Sequence, residues 1–191
     1  MNDLIDLNEL LNLEGLEQLS HQEKMQIFQQ KAEILGFHPQ QIDIAPTRQK
    51  NEHIDGLIFK KEKHETVMGV YFFYLSRHTL NKALWQNFKY PLDQKALKVS
   101  PWNKDDQAEE NDILYIGQRH EDLLSRLRDH TVKSNEQTQS LKLYAEECPL
   151  FEYRMTVFYQ IASKKHKMRN KVLCFMLEAI AKKLFPTKMG K

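Results

Sequence analysis

The chain has 191 residues, of which 41% are hydrophobic and 28% charged, with a formal net charge of +2. That suits one ordinary domain, or one domain with a small extension, long enough to bury most of its apolar surface. No run approaches the roughly 18 apolar residues of a membrane helix, the acidic start MNDLIDLNELLNLEGLEQ is unlike a signal or transit peptide, and Cys148 and Cys174 make no metal spacing or disulfide framework; the expectation is a cytoplasmic protein with no membrane partner.

The small net charge hides an asymmetry. Residues 1–23 hold six acids (Asp3, Asp6, Glu9, Glu14, Glu17, Glu23) and no Lys or Arg, whereas residues 160–191 hold nine Lys and Arg against Glu178 alone. Such a basic end suits a polyanion such as nucleic acid, and equally serves plain solubility. Leu4, Leu7, Leu10, Leu11, Leu13, Leu16 and Leu19 make residues 3–19 compatible with a helix. Ser20, His21, Gln22 and Glu23 form a capping box, which predicts a second helix burying Met25, Phe28, Ala32 and Leu35. Gly36 is placed to end it, with Pro39 shortly after. Residues 1–36 thus read as a helical pair for packing on the main domain or on a partner. Residues 37–53, polar and carrying Pro39 and Pro46, read as a connector; residues 54–59 read as a short strand and 60–64 as a charged loop.

Residues 67–75, VMGVYFFYL, are the most strand-like stretch, rich in β-branched and aromatic residues. Gly69 within it suggests a bulge or a close approach by another group. Leu80, Ala83, Leu84 and Phe88 are compatible with a helix before Pro91, and residues 103–112 read as an exposed acidic loop. Residues 113–130, ILYIGQRHEDLLSRLRDH, follow. A short apolar run, then Gly117, then an amphipathic pattern of Leu123, Leu124 and Leu127 reads as strand, turn and helix, the helix running to about Lys133. Arg126 and His130 are four apart and share one helix face. Tyr115 stands at the strand end. A phenol, a guanidinium and an imidazole near one glycine turn are phosphate-handling groups; the plainer alternative is a βα unit with a core tyrosine and a solvated Arg/His face.

Residues 151–159 alternate, with Phe151, Tyr153, Met155, Val157 and Tyr159 on one side and Glu152, Arg154 and Thr156 on the other, so a strand with one buried face is predicted. The basic segment 164–171 starts or precedes a last helix over about 170–184, ended by Phe185 and Pro186. Within VLCFMLEAIAKKLF, Glu178 is flanked by Leu177, Ala179 and Ile180. An acid there is costly to bury unless a cation pairs with it or it ligates a metal. A salt bridge to a nearby lysine or to Arg126 meets the requirement as well as a metal does.

These pieces together resemble the GIY-YIG nuclease family. Gly69-Val70-Tyr71 stands for the first triplet and Tyr115-Ile116-Gly117 for the second, each in a strand; Arg126 and His130 follow on a helix, and Glu178 lies on a late helix before Pro186. The resemblance covers residue 67 to the C-terminus. Two departures stand out. The triplets are farther apart than in most of the family, which makes residues 76–112 an insertion, and the asparagine often found a few residues past the proline is absent, the positions holding Thr187, Lys188, Met189 and Gly190.

The resemblance implies a small α/β (α+β) domain over residues 63–191, with a three-stranded antiparallel sheet flanked by helices and an N-terminal helical extension and connector over 1–62. It implies a metal-dependent endonuclease acting on DNA, with Glu178 holding Mg²⁺ or Mn²⁺. Arg126 would donate to the phosphate, Tyr71 would orient or deprotonate the attacking water, and Tyr115 would position water or phosphate. His130 would hydrogen-bond Tyr71 or share its proton. Arg119, Arg128, Lys133 and Lys182 are expected to contact the DNA backbone. A double-strand cut from one-site domains suits a homodimer, and restriction, defence and repair roles are all open. The alternatives are a DNA-binding or regulatory module on a degenerate nuclease fold, and a protein-interaction domain docking through the acidic N-terminal helices.

Overall fold

The computed structural model describes residues 12, 14–44, 59–75, 83, 86–87, 90–91, 100, 113–131, 139–141, 143, 153–187 and 189. In chain order these form a 3-10 turn, Leu16–Gln18, then α1 (His21–Ile34), β1 (His38–Ile44), β2 (Glu65–Leu75), β3 (Ile113–Arg119), α2 (Leu123–Thr131), β4 (Tyr153–Ser163), a 3-10 turn, Lys164–His166, and α3 (Lys167–Leu184). The strands make one antiparallel sheet in the order β1-β4-β2-β3. The class is α+β, as expected, but the sheet has four strands rather than three.

The added strand is β1, in the segment read as a polar connector. It pairs along its length with β4, Ile42 opposite Met155, and Ile42 is its one buried hydrophobic side chain among those described. A strand at a sheet edge needs only one row of hydrogen bonds, so Pro39, which lacks an N–H, fits there. Polar for most of its length and carrying a proline, it has almost no strand pattern in its sequence.

Helix α1 follows the capping-box prediction. Ser20 Oγ accepts from the Glu23 N–H at 3.3 Å, and Glu23 Oε2 accepts from the Ser20 N–H at 2.8 Å. At its far end Gly36 takes φ +80°, the Phe37 N–H reaches Ala32 O and the Gly36 N–H reaches Glu33 O, both at 2.9 Å, a Schellman closure. Phe28 and Ala32 are completely buried against β2, β4 and α3. Of the first helix expected over 3–19, residues 3–11 and 13 lie outside the described residues, and Leu16–Gln18 is a 3-10 turn instead. Residues 54–58 of the strand expected over 54–59 and most of the 76–112 insertion also lie outside them, and Phe59 is in no strand.

Central strand β2 is buried on both faces. Met68, Val70 and Phe72 pack with Phe28, Phe158, Cys174, Leu177 and Ile180 under α1 and α3. Val67, Tyr71 and Phe73 pack with Leu123, Leu127, Met155 and Val157 under α2. The two layers explain why the stretch is apolar throughout rather than alternating. Gly69 marks a close approach, not a bulge: a Cβ there would lie 2.3 Å from Phe158 O and 3.1 Å from Leu123 Cδ2. The register break lies farther along, where Phe73 pairs with Tyr115 but Tyr74 with Ile113, leaving Leu114 as the extra residue.

Strand β3 corrects the expected turn at Gly117. The strand runs on to Arg119, with Gly117 inside it, opposite Tyr71. The reversal falls at Asp122, whose φ is +49°, whose N–H donates to Thr66 Oγ1 at 3.0 Å and whose Oδ1 accepts from the Ser125 N–H at 3.4 Å at the start of α2. An aspartate tolerates this left-handed conformation and caps the helix that follows. Beyond α3, the Met189 N–H donates to Leu114 O at 2.9 Å and Met189 bridges Tyr115, covering part of the edge of β3. Among the described residues no helix is long and apolar enough to cross a membrane.

Candidate functional site

The site is built around the Tyr71 hydroxyl. β2 points the Tyr71 ring to the α2 side of the sheet, where it is completely buried. Its partner across the ladder is Gly117. A Cβ on Gly117 would fall 2.6 Å from Tyr71 Oη, 2.7 Å from Tyr71 Cζ and 2.6 Å from Tyr115 Cε1. Gly117 is thus where the two tyrosines close over bare backbone, a role set by steric room and not by turn formation. Tyr115 stacks on Tyr71, with ring centroids 6.2 Å apart and planes 29° apart.

Helix α2 supplies the other two groups. Arg126 and His130, one turn apart, both reach the Tyr71 oxygen: Arg126 Nε donates to it at 3.2 Å, and His130 Nε2 lies 3.0 Å from it. Burial of Leu123 and Leu127 on the same side of the helix fixes that orientation. The guanidinium is held from behind by Gln139 O, which accepts from Nη2 at 2.9 Å. The His130 ring is completely buried, with Tyr115 5.1 Å and Phe73 5.3 Å away between centroids.

Burial drives the Tyr71 phenol well above the ordinary tyrosine range; the phenol of Tyr115 adds to this, the charge and hydrogen bond of Arg126 oppose it, and the Glu178 carboxylate pushes further upward. Burial works against the Arg126 charge, but the phenols of Tyr71 and Tyr115 outweigh it and leave the guanidinium held more firmly protonated than usual. The influence of Glu178 on Tyr71 puts the carboxylate of α3 within electrostatic reach of the site.

Four of the five expected site residues, Tyr71, Tyr115, Arg126 and His130, therefore meet at one point, brought there by two strands and one helix, while Glu178, on α3, acts on Tyr71 through its charge. Glu178 is largely buried and its Oε1 lies 3.1 Å from Lys182 Nζ, one turn on. Lys182, expected on the DNA backbone, is in this structure the partner of Glu178. Arg119 is exposed at the end of β3 and its Nε donates to Glu121 O at 2.8 Å. Arg128 is half-buried on α2. Lys133 lies outside the described residues. At the positions where the family's asparagine was sought, Met189 is completely buried in the core around Tyr71, and Thr187 Oγ1 donates to Met189 O at 2.9 Å.

As a metal site the donor set is sparse. No group of three or more His, Cys, Asp or Glu side chains is clustered among the described residues. Glu178, paired in this structure with Lys182, is the one carboxylate of the set, and a hard divalent ion held by it would take its remaining ligands from water and phosphate oxygen, as Mg²⁺ commonly does. Gln139 and Leu141 also belong to the site and were not anticipated; they act through a backbone carbonyl and N–H, which no side-chain motif encodes. No family model matches the chain, and no curated protein and no solved structure matches it.

Proposed function

We propose that the chain is a metal-dependent endonuclease of GIY-YIG type that hydrolyses DNA phosphodiester bonds. The observation that carries this reading is the convergence of Arg126 and His130 on the Tyr71 oxygen, over Gly117 and beside Tyr115. A buried phenol held by two nitrogen groups is an unusual structural expense for a core tyrosine, whose hydroxyl needs only one partner.

In this reading Tyr71 orients the attacking water through its hydroxyl, and the upward shift of its phenol weighs against a role as the base. Arg126 keeps N–H groups on Tyr71, Tyr115 and Gln139 O; its remaining donors would meet the non-bridging phosphate oxygens as charge builds there. Tyr115 closes one side of the cleft and positions the water or the phosphate. Glu178 is the residue that would hold Mg²⁺ or Mn²⁺, whose chemistry when bound is to polarise the phosphate and stabilise the leaving 3′ oxygen. Lys164, Lys165, Lys167, Arg169 and Lys171, all exposed around the start of α3, add sequence-independent affinity for the DNA backbone that falls with salt. A double-strand cut by such one-site protomers calls for a homodimer on the DNA.

One observation favours a second reading, a DNA-binding module without cleavage: Met189, buried in the core with Tyr71 where the family's asparagine was sought, has no side-chain amide. Plasmid and oligonucleotide cleavage with and without Mg²⁺ or Mn²⁺ separates the two. The nuclease cuts only with metal and loses cutting, on the order of 10²-fold or more, in Arg126→Ala and Glu178→Ala. Folded wild-type protein that binds DNA and cuts no single-stranded, duplex or branched substrate establishes the second.

A further inference from the structure

We infer that His130 is a fixed hydrogen-bond donor to Tyr71 and not an acceptor of its proton, and that residues 139–141 impose this role from behind the helix. The functional meaning of the inference rests on the nuclease reading; its structural content does not.

The backbone N–H of Leu141 donates to His130 Nδ1 at 3.0 Å. A backbone amide nitrogen can only donate, so Nδ1 must present its lone pair, and the neutral ring then carries its proton on Nε2. Nε2 is the atom 3.0 Å from the Tyr71 oxygen, so the N–H points at the phenol. Placing a proton on Nδ1 as well would set two N–H groups face to face in a completely buried position. Rotating the ring would exchange both hydrogen bonds for C–H contacts, and Tyr71, Tyr115 and Phe73 enclose the ring at centroid distances of 5.4, 5.1 and 5.3 Å.

The segment that supplies this N–H is itself locked to α2. Ser140 Oγ donates to Asp129 O at 2.8 Å and the Leu143 N–H donates to His130 O at 2.8 Å, so the segment takes up carbonyls that the helix end leaves open. The Ser100 N–H in turn donates to Ser140 O at 2.9 Å. Two residues before Leu141, Gln139 O holds Arg126. One short run of backbone therefore sets the tautomer of the histidine and the fork of the arginine together.

The Tyr71 oxygen consequently receives an N–H from each, His130 Nε2 and Arg126 Nε. Its own O–H must point elsewhere, out of this pair. The imidazole, whose Nε2 already carries a proton, cannot take the Tyr71 proton, and an ionised Tyr71 oxygen would stay held by two donors. His130 is on this account a positioning residue.

Two measurements on the full chain test the inference. The first is ¹⁵N NMR of the histidine side chains, with His130 assigned by comparison with His130→Gln. A pyrrole-type Nε2 and a pyridine-type Nδ1 are expected, and the opposite tautomer overturns the inference whether or not the protein cuts DNA. The second compares cleavage by wild type, His130→Gln and His130→Phe, each verified as folded by its thermal transition. Glutamine has an N–H at the Nε2 position but no titrating base, so it should stay within about tenfold of wild type, whereas phenylalanine should lose on the order of 10²-fold. The pH profiles of wild type and His130→Gln should rise in parallel; the ionisable groups facing Tyr71 are Tyr115 on β3, Arg126 and His130 on α2 and Glu178 on α3. A glutamine variant as slow as the phenylalanine one, or one that loses the rising limb, overturns the donor role. If wild type does not cut, the nuclease reading fails and the NMR result alone decides the inference.

Discussion

Replacing Gly117 by alanine would put a methyl group where the Tyr71 phenol already lies. The new carbon meets Tyr71 Oη and Tyr115 Cε1 at 2.6 Å, and ordinary contact begins near 3.4 Å, so each must retreat by about 0.8 Å (3.4 less 2.6). The φ of Gly117 is not positive, so the backbone itself accepts alanine and the whole cost is contact. Tyr71 is completely buried and cannot swing into solvent. Overpacking of this kind costs about 1–3 kcal/mol, which for a chain of this size lowers Tm by roughly 2–12 °C. The same retreat stretches bonds that are now 3.0 Å to His130 and 3.2 Å from Arg126 beyond hydrogen-bonding range. A misplacement approaching 1 Å at a reacting group costs about 10²-fold in rate. Metal-dependent plasmid cleavage, run below the variant's thermal transition, should therefore fall about a hundredfold while DNA binding persists. Folded Gly117→Ala that cuts at the wild-type rate would refute the account of Gly117 as the floor under the tyrosine hydroxyl.

Three further outcomes follow from other parts of the structure. Lys182→Gln removes the cation now 3.1 Å from Glu178 Oε1, so half-maximal cleavage should need less Mg²⁺; an unchanged requirement in a metal titration counts against Glu178 as the ligand. Burial pushes the Cys174 thiol up to about 12, from 9.0. A raised value stabilises the fold fully below the unfolded thiol's range and is lost as pH climbs through the folded one, with a slope of up to ~1.4 kcal/mol per pH unit. Tyr71 and Tyr74, also raised by burial, join only above about pH 10, so denaturation curves of Cys174→Ala should be flatter than wild type between about pH 9 and 10, and a slope identical to wild type refutes the assignment. Ser20→Ala breaks the capping box of α1 and should cost about 1 kcal/mol, a Tm drop of roughly 2–4 °C, with cleavage unchanged; a loss of cleavage at temperatures where the variant is folded would bring α1 into the site.

Local signals in the chain were sufficient for much of the architecture. The capping box at Ser20 and the glycine at 36 set both ends of α1, because each satisfies backbone groups within a few residues of itself. The alternation of Tyr153, Met155, Val157 and Tyr159 marked β4, since side chains on one face of a strand recur every second residue. The four-residue spacing of Arg126 and His130 placed both on one side of α2 for an equally local reason. Tyr115 is a residue type that suits phosphate handling and Glu178 one that needs a cation, whereas Tyr71 is named only through the family resemblance.

Tertiary pairing decided the rest. β1 exists because β4 offers it an edge, which a polar stretch with Pro39 does not announce. Gly117 sits within a strand because Tyr71, from another strand, needs the space above it. Lys182 is turned to Glu178 and Met189 is drawn into the core by contacts specific to the folded chain. The direction of the hydrogen bond between His130 and Tyr71 is the clearest case: it depends on a backbone N–H eleven residues away that any amino acid other than proline would supply. Side-chain identity can state which groups are present, but the proton on an imidazole goes where the surrounding donors leave a place for it, and those donors are assembled only when the chain folds.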